Sequence, residues 1–82
     1  MKVYVVVSNG DVKGEIEGVF AKYEDAKACF DCIKTDWQDW ARDAWSGDSD
    51  IEEQESLNYY YLANYDSDDN PMEVSIIEKE VQ

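Results

Sequence analysis

A chain of 82 residues has room for one domain, because two cores would each fall below the size that usually folds unaided. A hydrophobic share of 44% supports a small core and argues against wholesale disorder. The 20 acids against 7 Lys and Arg leave a net charge of -13, which opposes direct binding to nucleic acid or to an anionic membrane, since both carry the same sign. No run approaches the ~20 apolar residues that a spanning helix needs. The start, Met1 to Ser8, has neither the length nor the small-residue cleavage site of a signal peptide, so a cytoplasmic location is expected.

In chain order, residues 2–8 are rich in Val and Tyr and predict a strand buried on parts of both faces. Asn9-Gly10-Asp11 opens a turn, and Glu15 to Phe20 predicts a second strand that closes a β-hairpin. Gly18 inside that strand suggests a bulge or the close approach of a neighbour. From about Glu24 to Trp45, apolar residues recur at 26, 30, 33, 37, 40, 41 and 44, which places them within about 100° of a helical wheel. Ala26, Phe30, Ile33, Trp37, Trp40 and Ala44 are expected to face the sheet. Asp25, Asp36, Asp39 and Asp43 share a separate stripe, and Lys27 and Lys34 take the other flank. Gly47 is expected to stop the helix as a left-handed cap.

Residues 48–55 are expected to form an acidic loop anchored by Ile51. Residues 57–65 predict a strand with Leu57, Tyr59, Tyr61, Ala63 and Tyr65 on one face. Asp66 to Pro71 predicts a turn, and Glu73 to Val81 the last strand. The expected architecture is a single α+β domain over 1–82: ββαββ, a four-stranded antiparallel sheet with one long helix packed on one face. A lone helix covers one face only. Some of Tyr4, Val6, Tyr60, Leu62, Ile77 and Val81 should then line the other, an apolar patch suited to a homodimer or a partner protein.

The residues that catalysis usually requires are missing. The chain has no His and therefore no imidazole base near neutral pH. Its serines lie in no nucleophile-elbow pattern, there is no Gly-rich phosphate loop, and no carboxylate pair stands out from the crowd. Cys29-Phe30-Asp31-Cys32 is a CxxC, but a structural zinc needs four ligands and a redox pair prefers a helix start, whereas these cysteines fall inside the helix. Two ordinary reduced thiols are the expectation. Asp66, Asp68 and Asn70 resemble the opening of a calcium loop, yet Pro71 stands where the turn needs Gly and the closing Glu is absent. No metal, no other cofactor and no enzyme activity are expected.

Charge is the informative signal. Residues 1–34 hold 6 acids and 5 lysines, whereas residues 35–82 hold 14 acids against Arg42 and Lys79. The excess is therefore localised on the helix stripe, the 48–55 segment and the 66–69 turn. A plain acidic coat would keep a domain soluble and monomeric. The sharper reading is a surface that presents carboxylates where a basic groove expects phosphates. Its candidate partner-binding residues are Asp36, Asp39, Asp43, Trp45, Asp48, Asp50, Glu52, Glu53, Asp66, Asp68 and Asp69. Trp45 either protrudes as an apolar anchor or caps the core.

The segments Lys2-Val3-Tyr4-Val5-Val6, Glu17-Gly18-Val19-Phe20 and Glu24-Asp25-Ala26 resemble a family of small uncharacterised phage and bacterial domains that start with a hairpin and a helix. By size and charge the chain is also similar to phage-encoded inhibitors that mimic DNA, of the anti-CRISPR and anti-restriction type. That likeness implies a small acidic inhibitor in a bacterial host cytoplasm, occluding the site of a host nucleic-acid-binding protein. The alternative is a non-enzymatic interaction or dimerisation domain that uses its open sheet face without mimicry.

Overall fold

The computed structural model describes residues 1–9, 15–66 and 71–81. Its elements are β1 (Lys2–Asn9), β2 (Glu15–Phe20), α1 (Tyr23–Ala44), β3 (Ile51–Ser56), β4 (Tyr59–Asn64) and β5 (Met72–Glu80). The strands form one five-stranded sheet in the order β2-β1-β5-β4-β3, with every neighbouring pair antiparallel. The α+β class is as expected, but the sheet has five strands and not four. The additional strand is β3, which lies in the segment expected to be an acidic loop.

The physical reason is that β3 is an edge strand. Its sequence, Ile-Glu-Glu-Gln-Glu-Ser, is poor in strand formers. Pairing with the Tyr-rich β4 holds it instead, in register from Ile51↔Asn64 to Ser56↔Tyr59 across the two-residue turn Leu57-Asn58. The charged residues also blunt an edge that would otherwise attract other strands. Ile51 is not a buried anchor, being 42% exposed.

The helix forms where its periodicity predicts. Glu24 and Asp25 sit in the first turn and Arg42 in the last, each favourable to the helix dipole. Gly47 follows with φ of 89°, a left-handed conformation that suits glycine. The chain leaves the sheet at the β2 edge and re-enters it at β3 on the opposite edge, so the helix must cross one face. Beneath it lies the core of Val6, Ala26, Phe30, Trp45, Tyr60, Leu62, Val74 and Ile76. The buried stripe runs from Ala26 and Phe30 through Ile33, Trp37 and Ala41 to Trp45. It does not run through Trp40, which is 47% exposed, or Ala44, which is also exposed.

The face assignment on β1 and β4 is the reverse of that expected. Tyr4, Val6, Tyr60 and Leu62 all pack under the helix. Their alternate neighbours Val3, Val5, Val7, Tyr59 and Tyr61 turn to the open side together with Ile77, which pairs with Val5. Leu57 lies in the turn and is 71% exposed. The expected irregularity at Gly18 is present: the β1–β2 register shifts between Val6 and Val7. A Cβ at Gly18 would come within 2.7 Å of the Phe20 ring. The bulge lets the Glu17 carboxylate reach the buried Ser8 hydroxyl, which donates to it at 2.6 Å.

The sheet is staggered. β1 pairs with Glu73 to Glu80 of β5, whereas β4 pairs only with Met72 to Ser75. The β3–β4 hairpin therefore slides past one end of β5 and extends the molecule to 48 × 21 × 16 Å.

Candidate functional site

The acids of the expected binding surface fall into three groups. The first is the outer flank of α1, where Asp36, Asp39 and Asp43 are all exposed. Asp39 pairs with Arg42 at 3.3 Å, and among the described residues Asp36 and Asp43 make no ion pair. This flank faces away from β3. On the β3 side of the helix, Lys34 reaches Glu55 at 3.3 Å and Gln38 donates to Glu53 at 3.4 Å. Lys27 donates to the Leu57 carbonyl at 2.6 Å and lies 4.5 Å from the Phe30 ring centre. The weakly basic flank expected from sequence thus clamps the helix to the edge hairpin.

The second group closes the end of the molecule. The Asp66 carboxylate accepts the backbone N–H groups of Ser49 and Asp50, both at 2.9 Å. These bonds hold its carboxyl below the usual value of 3.8. Asp48 accepts from the side-chain amide of Asn64 at 2.7 Å, and the Asn64 side-chain Oδ1 accepts the Asp66 N–H at 2.8 Å. Asp48, Asp50 and Asp66 are brought together, with the 3%-exposed Asn64 as the hub. Sequence reasoning missed Asn64, which stood inside a strand pattern. Its one legible signal was an amide a few residues after a run of tyrosines, too common to single out.

The third group lies on β3 and is divided between the two faces of the sheet. Glu53 accepts the hydroxyl of the buried Tyr60 on the helix side. Glu52 accepts from Gln54 and, at 3.2 Å, from the Tyr65 hydroxyl on the open side. Glu53, itself exposed, is thus tied to the core through the hydroxyl of the fully buried Tyr60. Asp68 and Asp69 lie outside the described residues.

Of the two readings of Trp45, the structure takes the core cap: the ring is 3% exposed and packs edge-on against Trp40 with centroids 5.2 Å apart. It is not a protruding anchor. One i→i+4 step carries the buried stripe from Ala41 to Trp45, and the chain turns there toward β3. Trp40 is the tryptophan that reaches solvent.

Cys29 is half-buried, Cys32 is exposed, and both are free thiols. Burial raises the Cys29 pKa, with further contributions from Glu17 and Cys32, so its surroundings disfavour the thiolate. Among the described residues no three Cys, Asp or Glu gather closely enough to hold a metal. Two surface depressions of about 280 and 220 Å³ are lined by Val7, Ser8, Asn9, Glu73 and Ser75, and by Tyr4, Tyr23, Asn58, Ile76 and Glu78. Both are below the ~300–1,000 Å³ of ordinary ligand pockets. No helix among the described residues is long and apolar enough to cross a membrane. No family model, curated protein or solved structure matches the chain.

Proposed function

We propose that this is a small acidic inhibitor that acts without chemistry, in the cytoplasm of a bacterial host, by occupying the nucleic-acid site of a host protein with carboxylates in place of phosphates. The observation that carries the reading is the flank of Asp36, Asp39 and Asp43, exposed on a rigid helix with Arg42 as the neighbouring cation. These charges do no work in the core, so their place on the surface is free to serve a partner. They rise ~4.5 and ~6 Å along the helix axis and run on through the chain to Asp48 and Asp50 at its end. Asp66 braces that end, and Glu52 and Glu53 belong to other parts of the surface.

A net charge of -13 along a 48 Å axis is on the order of one charge per 4 Å. That is close to the ~3.4 Å of a single nucleic-acid strand and about half the density of a duplex. A groove that takes one strand is therefore the better fit. A phage origin is part of this proposal and rests only on the resemblance of the Lys2–Val6, Glu17–Phe20 and Glu24–Ala26 segments to small phage and bacterial domains.

The test is capture from bacterial lysate with immobilised protein, followed by binding kinetics on the recovered partner. Binding should weaken steeply with salt, an oligonucleotide should compete, and single strands should compete better than duplex. The triple change Asp36→Asn, Asp39→Asn and Asp43→Asn should slow association while leaving the melting temperature nearly unchanged. A partner that ignores salt, tolerates the triple variant and still accepts its nucleic acid would rule mimicry out.

A further inference from the structure

The face of the sheet opposite α1 is uncovered among the described residues. Val3, Val5 and Val7 reach it from β1, Val19 from β2 and Ile77 from β5. Val19 is 59% and Ile77 41% exposed and Val3 and Val7 are half-buried, whereas Val5 between them is 9% exposed, so the patch is open mainly at Val19 and Ile77. In so acidic a chain, the central strands bring only two charged side chains to this face. They are Glu73 and Lys79, both on β5, six residues or ~20 Å apart with Ser75 and Ile77 between them. Glu73 is held in place by the Tyr59 hydroxyl, which donates to one of its oxygens at 2.8 Å and leaves the other available. Among the described residues Lys79 makes no ion pair, although acids outnumber bases 20 to 7.

We infer that this face joins two copies of the chain about a two-fold axis that lies in the interface and crosses β5 at Ile76. The register supplies the argument. An axis perpendicular to β5 reverses the strand, so position 73 of one copy lies over position 79 of the other, and 75 over 77. Each unpaired Lys79 then meets a Glu73 carboxylate, and the contact is made twice, as a self-complementary interface requires. Because Val6 pairs with Ile76, the same axis stacks Val5 on Val7 of the second copy, and the apolar centre closes on itself.

Sheets packed face to face tolerate this reversal, with strands within about 30° and layers ~10 Å apart, a gap that Lys and Glu side chains span together. The stagger of the sheet removes the main objection, repulsion between two acidic chains. The β3–β4 hairpins project past opposite ends of the pair, and the Asp36–Asp43 flanks lie on the far sides of both sheets. Three strands about 27 Å long offer a planar footprint of roughly 400 Å², below the ~800 Å² per partner of a tight complex, so the dimer should be reversible. None of this depends on which protein the acidic flank binds.

Sedimentation equilibrium across the micromolar range tests the inference. The wild type should pass from monomer to dimer with rising concentration. Glu73→Lys and Lys79→Glu should each weaken the dimer about tenfold, because each sets like charges against each other at both ends. Together they should restore it. The two single changes move the net charge in opposite directions, so general repulsion would instead make Glu73→Lys the tighter dimer. Ile77→Glu, on the open face and away from the core, should leave a folded monomer by circular dichroism. A wild type that is monomeric throughout, a tighter Glu73→Lys dimer, or a double variant no better than the singles would each overturn the inference.

Discussion

The two faces of this sheet are built from the same residue types but differ in how evenly they are buried: on the open side Val5 and Ala63 are 9% and 1% exposed, whereas Val19 and Ile77 remain 59% and 41% exposed. On β1, Val6 is fully buried, whereas its neighbour Val7, pointing the other way, is half-buried. On β4, Tyr60 is buried with its hydroxyl on Glu53, whereas Tyr61 reaches out to meet the Tyr65 hydroxyl at 3.1 Å near the surface. Strand propensity is equal on the two sides, so only the helix decides which set becomes core. In a two-layer sheet the second face keeps an apolar surface that the helix does not cover.

The comparison can be broken most sharply at the tryptophans. Trp45→Ala should lower stability by about 3–5 kcal/mol, enough to unfold a domain this small, whereas Trp40→Ala at the edge of the same ring pair should cost about 1 kcal/mol. Urea titration of both variants distinguishes a core cap from a surface anchor, and equal losses would contradict the burial difference. Next come the valines. Val6→Ala should cost about 2 kcal/mol and Val7→Ala under ~1 kcal/mol, measured at a protein concentration where the chain is monomeric. At high concentration the gap should narrow if the open face is covered.

The pH effects are smaller and have opposite signs. Burial, followed by the hydrogen bond to Glu73, pushes the Tyr59 hydroxyl up to about 12. A raised folded-state pKa favours the protonated form. Its contribution is thus complete below the ordinary value of about 10 and is lost as pH rises through about 12. Tyr59→Phe should flatten stability across that alkaline window in a denaturant titration at each pH.

Asp66 works the other way. Backbone bonds from Ser49 and Asp50 hold its pKa below 3.8, so its contribution is present above that value and fades as pH falls through the lower folded-state value. Asp66→Asn should remove this acid-side dependence and loosen the 48–50 loop, seen as faster amide exchange at Ser49 and Asp50. An unchanged acid limb would show that the loop is held by Asn64 alone.

Several features are legible in the sequence alone. The helix could be bounded to within a residue or two, because 22 residues of 3.6-period patterning, acids in the first turn and Gly47 after the last all agree. The first hairpin and the bulge at Gly18 were readable from Val-rich runs broken by a glycine. β3 was not, because Glu and Gln at four consecutive positions carry no local preference for a strand. Its extended form comes from the hydrogen bonds that β4 offers. The candidate surface was legible as a helix stripe, which depends on one element alone. It was not legible as a whole: which of Glu52 and Glu53 belongs to which face follows from the β3–β4 register.

The sequence by itself determined the acidic excess confined to the second half, the crossing helix and the stripe of Asp36, Asp39 and Asp43 along it. Each follows from local spacing or simple composition. Only the tertiary structure decided that Tyr60 and Leu62 turn inward, that Trp45 is core and Trp40 rim, and that Glu73 and Lys79 bracket an open apolar face. A strand alternates with a period of 2 and has no sign of its own. When both faces carry Val and Tyr, the pattern is the same whichever side the helix lands on. The choice is made where Phe30 and Trp37 meet the sheet, by contacts far apart in the chain.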